Sequence, residues 1–251
     1  MITKVIISAA GLGLASVVGS AIGLLVRSVP HKWNDIFMGF CAGMMLAASI
    51  TGLLLPSVDG LSPADWWQPV AGVVAGVALI GALDYLTPHL HHLSGLEMER
   101  HRSDASLNRI IMFVIAIALH KLPEGMATGI VFDEGNISNA YSVAISIALQ
   151  NIPEGLVIVT PLLMVGVSYL RTTVISLFIA LLEMAGVGLG YYLGTLAGAL
   201  MPALLAMAGG AMLYVISDEM IPETHAHGHQ KPATYALVAG VLLAVMVTKV
   251  V

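Results

Sequence analysis

The sequence predicts an all-α integral membrane protein, eight transmembrane helices forming a single domain over residues 1–251. Three observations predict this. The chain is 58% hydrophobic and only 10% charged, where a soluble domain carries about 25% charged residues. Its mean hydropathy is +0.91. Its apolar residues fall into successive runs near the roughly 20 residues that a helix needs to cross a bilayer core. Short connections between the runs favour one compact bundle. The net charge of −5 gives no support for nucleic-acid binding. The single cysteine, Cys41, excludes an intramolecular disulfide and reads as a packing residue.

The first run, residues 5–26, follows one lysine and is too long for a secretory signal core, so it reads as a retained helix. The others cover residues 36–55, 70–86, 110–131, 141–165, 174–196, 203–221 and 235–250. Gly72 and Gly76, and again Gly186 and Gly190, have the small-xxx-small spacing that lets membrane helices approach closely. Basic residues orient the spans. With eight spans, Arg27, Lys32, Arg100, Arg102, Arg109, Arg171 and Lys231 fall in the loops of one side, and only Lys4 and Lys249 on the other. Cytoplasmic loops are enriched in Lys and Arg, so both termini are expected to be extracytoplasmic. The loops on the side of the termini carry Asp59, Asp65, Asp133 and Glu134, an entrance attractive to cations if they are more than solvated loop residues.

Ionisable groups inside a membrane span are costly and face a cavity or a partner. Here they cluster. The fourth span reads Ala118-Leu-His-Lys-Leu-Pro-Glu-Gly125 and the fifth Ala148-Leu-Gln-Asn-Ile-Pro-Glu-Gly155, one motif repeated at an offset of 30 residues. Consecutive spans run in opposite directions, so the copies are related by a pseudo-two-fold axis in the membrane plane, an inverted-repeat pattern of transporters. His120 and Glu124 are four apart on one helix face, about 6 Å along the axis. Gln150 and Glu154 repeat this. Packed together, the two faces offer an imidazole, two carboxylates and an amide oxygen, a donor set suited to a borderline divalent metal. Pro123 and Pro153 lack an N–H and free the carbonyls four residues back. The plain alternative is a pair of proline-kinked helices whose polar groups only bond one another.

Glu183 is a further carboxylate within a span, and Lys121 a cation within one. Lys121 reads as a built-in positive charge at a second metal position, paired with Glu183 or Glu154. A lysine that snorkels to the interface is the alternative.

These residues resemble the ZIP family of metal transporters, in particular its prokaryotic GufA-like branch. The resemblance runs nearly the whole chain. It includes Gly43-Met-Met-Leu-Ala-Ala-Ser49, Leu55-Pro56, both Pro-Glu-Gly motifs, Glu183, and Asp218-Glu-Met-Ile-Pro-Glu-Thr-His225. It implies a ZIP-type bundle of eight helices and a metal path between helices two, four, five and seven. It assigns His120, Glu124, Gln150 and Glu154 to the main transport site with Met45 beside it, and Asp59 to the outer entrance. It matches Lys121, Asn151 and Glu183 to the second position of a binuclear centre. Relatives place an asparagine and an aspartate where Lys121 and Asn151 stand, so a single metal is expected here, with Lys121 as surrogate charge. Exit ligands are expected near Asp218, Glu219 and Glu223. Asp218 stands where some relatives have histidine.

His89, His91, His92 and His101 fall in the loop of about residues 88–108, and His225, His227 and His229 follow the seventh span. Both loops are on the expected cytoplasmic side. Their composition predicts weak, exchangeable metal holding, without the fixed spacing of a structural zinc site.

The expected function is alternating-access transport of a divalent transition metal toward the cytoplasm, the inward direction coming from the resemblance. Zn2+ is expected as the transported substrate, with Cd2+, Fe2+, Mn2+ and Co2+ fitting the same ligands, and no cofactor. No phosphate-binding G-x-x-x-x-G-K-[ST] motif occurs, so a gradient supplies the energy. The expected setting is a bacterial inner membrane, with a homodimer as a compatible assembly. Two rivals remain at this level. An intramembrane metalloenzyme could use a proline-broken metal site, although no H-E-x-x-H occurs. A proton or monovalent-cation channel would be indifferent to His120.

Overall fold

A computed structural model describes residues 1–86, 121–133, 136–164 and 166–250. The described residues form helices, turns and bends without a strand. They comprise α1 (Ile2–Val26), α2 (His31–Val58), α3 (Trp67–Leu86), α4 (within residues 121–133), α5 (Ile137–Met164), α6 (Tyr169–Leu196), α7 (Gly198–His225) and α8 (Gln230–Val250). Six of these, α1, α2, α5, α6, α7 and α8, are long and apolar enough to cross a membrane, and α3 carries a shorter apolar stretch. The remainder of the fourth expected span lies outside the described residues.

The helices outrun the apolar windows at most ends. The second begins at His31 rather than residue 36, the sixth at Tyr169 rather than 174. Hydropathy stops at the first polar group, whereas the backbone hydrogen-bond ladder continues until a capping group or proline interrupts it. Pro30 precedes α2, and the Ser168 hydroxyl accepts from Arg171 N–H at the start of α6.

The molecule is apolar outside and ionic inside. On α6, Leu181 is 62% exposed while Glu183, two residues on, is 0% exposed. Ile6, Leu14, Val174, Leu242 and Met246 are likewise exposed. Such a surface requires lipid as solvent, so the chain is a multi-pass helical membrane protein.

The helices associate in two groups. α1 packs along α5 and α6, and α4 on α6; α2 packs along α8, and α3 along α7. Within each group backbones touch through glycine. A side chain at Gly19 or Gly155 would collide with the facing backbone of α5 or α1, and one at Gly125 or Gly190 with that of α6 or α4. Gly76 meets the α7 backbone, and Gly186 faces α4, so both spaced glycine pairs lie at helix contacts. Between the groups, α2 meets α5 mainly through side chains: Gly52 faces Val143, and the Asn139 amide donates to the Gly52 carbonyl at 3.0 Å.

Among the described residues, two helices carry a π-helical turn just before a proline. In α2 it covers Ala48–Leu54 ahead of Pro56, and in α7 Ile216–Met220 ahead of Pro222. A wider turn absorbs the residue whose hydrogen bond the proline removes. Just past each proline a hydroxyl recovers a carbonyl, Ser57 that of Leu54 and Thr224 that of Ile221, each at 2.7 Å.

Candidate metal centre

The two Pro-Glu-Gly motifs meet where α4 and α5 face each other. Lys121 is 1% exposed, and its ammonium reaches Glu124 Oε2 at 2.7 Å, Glu154 Oε2 at 2.7 Å and Asn151 Oδ1 at 2.6 Å. An ammonium has three protons, and these three acceptors use all of them. Glu183 Oε1 stands at 3.9 Å from the same nitrogen. The snorkelling alternative is therefore not what the molecule does; the lysine is buried among carboxylates.

The surrounding groups lock one another. Gln150 Nε2 donates to Glu124 Oε1 at 2.8 Å, and Asn151 Nδ2 to Glu183 Oε1 at 2.7 Å. The Ser16 hydroxyl donates to Glu183 Oε2 at 2.9 Å. Glu124 thus holds Lys121 on one oxygen and Gln150 on the other. Behind Lys121, Ser16, Ser20, Asn151 and Ser176 line a small cavity with room for about one water molecule. Buried charges require this degree of pairing, because each leaves water at a penalty of several kcal/mol in order of magnitude.

Among the described residues of the cluster two polar atoms are left over, Ser176 Oγ at the small cavity and Gln150 Oε1. Gln150 is 0% exposed, and its Oε1 has no hydrogen-bond partner. A buried amide oxygen without a partner loses about 1–3 kcal/mol of solvation, and a cation is one group that could satisfy it. Glu154 is the most open of the three carboxylates paired with Lys121, its side chain 15% exposed against 2% for Glu124 and 0% for Glu183. Cys41 reaches from α2 to the carbonyl of Gln150 at 3.4 Å, so the site lies where the two helix groups touch.

The other expected residues are placed as follows. His120, His89, His91, His92 and His101 lie outside the described residues. Met45 is buried in the apolar core. Asp59 is exposed at the end of α2, its N–H capping the Leu55 carbonyl. Asp218 and Glu219 lie in the π-helical turn of α7, and Glu223 in its last turn. His225 Nδ1 sits 2.8 Å from the Ile221 carbonyl. His227 and His229 face a buried carboxylate, Asp35, at 3.1 and 3.0 Å. Among the described residues, no three His, Cys, Asp or Glu side chains stand where they could hold a metal ion. At the central cluster an ammonium already occupies the space between the carboxylates.

Sequence reasoning missed Ser16 and Asp35. Ser16 carries no charge to mark it within an apolar helix. Asp35 lies one residue before the apolar window that defined the second span, and four after His31, on the same helix face.

A buried ionic cluster between two proline-containing helices, inside an outward-apolar bundle, defines the class: a polytopic membrane protein built to stabilise charge within the bilayer. The family model described as "ZIP Zinc transporter" matches residues 87–248, and the chain belongs to that family, which is one of transporters rather than enzymes. It is 36% identical over 235 residues to Zinc transporter ZIPB of Bordetella bronchiseptica, covering 91% of this chain and 75% of that one. It is 35% identical over 240 residues to Zinc transporter GufA of Myxococcus xanthus, covering 93% of each. Zinc transporter ZIP11 of Xenopus tropicalis is 35% identical over 303 aligned positions, with 90% of each chain covered.

Proposed function

We propose that this chain carries divalent transition-metal cations, Zn2+ foremost, toward the cytoplasm by alternating access. The metal is cargo, held at the midplane by His120, Glu124, Gln150 and Glu154. The observation that carries this reading is the unpartnered Gln150 Oε1 beside Glu124 and Glu154. One amide oxygen, two carboxylates and the imidazole of His120, which precedes Lys121 in the sequence, would match the hardness of a borderline divalent ion. Cd2+, Fe2+, Mn2+ and Co2+ are further candidates on the same donors.

Lys121 then stands in for a second metal. Its ammonium sits among Glu124, Glu154 and Glu183, which would otherwise repel one another in a medium of low dielectric. One cation delivered from the chain leaves one for cargo.

The path runs from Asp59, past Met45, to the central site, and onward to Asp218, Glu219, Glu223 and the cytoplasmic histidines. The group of α1, α4, α5 and α6 moves against that of α2, α3, α7 and α8. Backbone contacts at glycine join α1 to α5, α4 to α6, α2 to α8 and α3 to α7, whereas at the α2–α5 and α2–α7 contacts glycine meets side chains. The chain crosses a bacterial inner membrane eight times, with both termini extracytoplasmic. The paired π-turn and proline of α2 and α7 support the inverted relation of the halves, and a homodimer is compatible with this arrangement.

Purified protein in liposomes tests the proposal. Wild type should accumulate Zn2+, and Glu154→Ala should reduce the rate at least about tenfold, as loss of even a supporting group at a metal site does. Equal uptake by the two proteins would overturn the assignment. Peptide or lipid turnover without metal uptake would overturn transport itself.

A further inference from the structure

Asp35 opens a second site, away from the central cluster. It sits in the first turns of α2 and is 3% exposed. Each of its carboxylate oxygens takes one imidazole: Oδ1 is 3.1 Å from His227 Nδ1 and Oδ2 is 3.0 Å from His229 Nδ1. Gly228, between the two histidines, has φ +82. That left-handed conformation suits glycine and folds the chain so that both neighbours reach one carboxylate. The His31 ring stacks on that of His227, with centroids 4.7 Å apart and planes 21° from parallel. His225, one turn earlier, has its Nδ1 on the Ile221 carbonyl at 2.8 Å.

An ionised carboxylate and a peptide carbonyl can only accept hydrogen bonds. All three histidines therefore carry a proton on Nδ1, and in the neutral ring that leaves the Nε2 lone pair for a metal. Carboxylate or carbonyl on Nδ1 and metal on Nε2 is the usual arrangement of metal-binding histidines, and the outer group sets tautomer and ring orientation. The His227 and His229 side chains are 34% and 35% exposed, so they can exchange ligands with solvent, whereas Asp35 cannot.

We infer that Asp35 is the positioning residue of a metal-receiving turn at residues 225–229, holding His227 and His229 in the one tautomer that can take a zinc-class cation on Nε2. This rests on the proposed transport of such cations and adds to it. Metal holding by these histidines is then not merely a matter of composition: the ligands are set before the ion arrives, by a buried group on a different helix. Two imidazoles with water completing the shell give weak, exchangeable binding, as a release site requires.

The test uses the full chain labelled with 15N-histidine in detergent micelles, where two-bond 1H–15N spectra distinguish the tautomers. Single His→Ala variants assign the signals, and Zn2+ alone is the titrant. Wild type should show His225, His227 and His229 protonated at Nδ1 only, with the Nε2 signals of His227 and His229 moving as Zn2+ binds. In Asp35→Ala, both should shift toward the Nε2–H tautomer that free imidazole prefers, and Zn2+ affinity at the turn should fall about tenfold to a hundredfold. His225 should not change, because its partner is a backbone carbonyl, and it reports that the turn is still folded. Asp35→Asn should flip one of the two histidines and not the other, because an amide offers one acceptor and one donor face. Where the alanine variant does not fold, this asymmetry decides the matter, since a purely structural role would not split the pair. Histidines doubly protonated or protonated at Nε2 in wild type, or Zn2+ affinity unchanged in Asp35→Ala, would overturn the inference. Liposome uptake is read separately. A chain that moves no zinc but behaves as stated at the turn would remove the transport proposal and leave the turn as a surface zinc site.

Discussion

At the scale of single residues, Lys121 decides how many ions the centre holds. Its three protons are committed to Glu124, Asn151 and Glu154, and removing them leaves three carboxylates facing one another. Lys121→Asn should raise bound Zn2+ from one to two per chain, counted by metal analysis of dialysed protein at saturation of the central site. A count that stays at one would mean that the lysine does not stand in for a metal. Lys121→Met removes the charge without offering a ligand. In chelator it should lose about 3–5 kcal/mol, the usual effect of breaking a buried ion pair, and saturating Zn2+ should restore part of that. Thermal unfolding in detergent with and without metal checks both halves. The pairing of Lys121 with Glu154, and at longer range with Glu183, was legible in the sequence, because a cation within an apolar span has few places to go; its bonds to Glu124 on its own helix and to Asn151 were not, since Glu124 read only as a metal ligand. The role of Asp35 was not legible. Its partners lie 192 and 194 residues away, and no local pattern announces a pairing of that range.

At the scale of elements, helix identity followed from apolar runs, whereas helix ends and π-turns did not. Hydropathy records what a side chain does in lipid and is blind to the backbone, which continues for several residues past the apolar windows of α2 and α6. The π-turns at Ala48–Leu54 and Ile216–Met220 depend on hydrogen-bond register, which composition does not encode. The spaced glycines were visible as a pattern but did not name their partners. Gly125 and Gly188 now differ sharply in expectation. A side chain at Gly125 would strike the Glu183 carbonyl, while Gly188, on α6, has nothing within 4 Å. Gly125→Val should destabilise by about 1–3 kcal/mol, and Gly188→Ala should be neutral or stabilising by about 0.5–1 kcal/mol. Thermal shifts of the two variants in one detergent provide the comparison; equal effects would mean that α4 and α6 are not in backbone contact.

At the scale of the whole molecule, the two helix groups must slide or rock for an ion to pass. An ideal β-carbon at Gly52 would lie 3.7 Å from Val143 Cβ, close to the mean separation of about 3.8 Å in disulfides. With Cys41→Ala to remove the native thiol, the pair Gly52→Cys and Val143→Cys should cross-link α2 to α5. Zn2+ uptake should stop on oxidation and return on reduction. The pair Leu53→Cys and Gly209→Cys, with a corresponding distance of 3.4 Å, links α2 to α7 within one group and should leave uptake intact. Uptake through a locked α2–α5 contact would exclude relative motion of the groups as the transport step.

The central claim is that two antiparallel kinked helices gather their donors around a single dehydrated ion beside a buried ammonium. Anomalous diffraction from crystals grown with Cd2+ tests it most directly. One cadmium peak per chain within ligand-bond distance of Gln150 Oε1, Glu124 and Glu154, with Lys121 still between the carboxylates, is the predicted result. Cadmium bound only at the surface histidines, with no peak at Gln150 Oε1 at saturating metal, would contradict it.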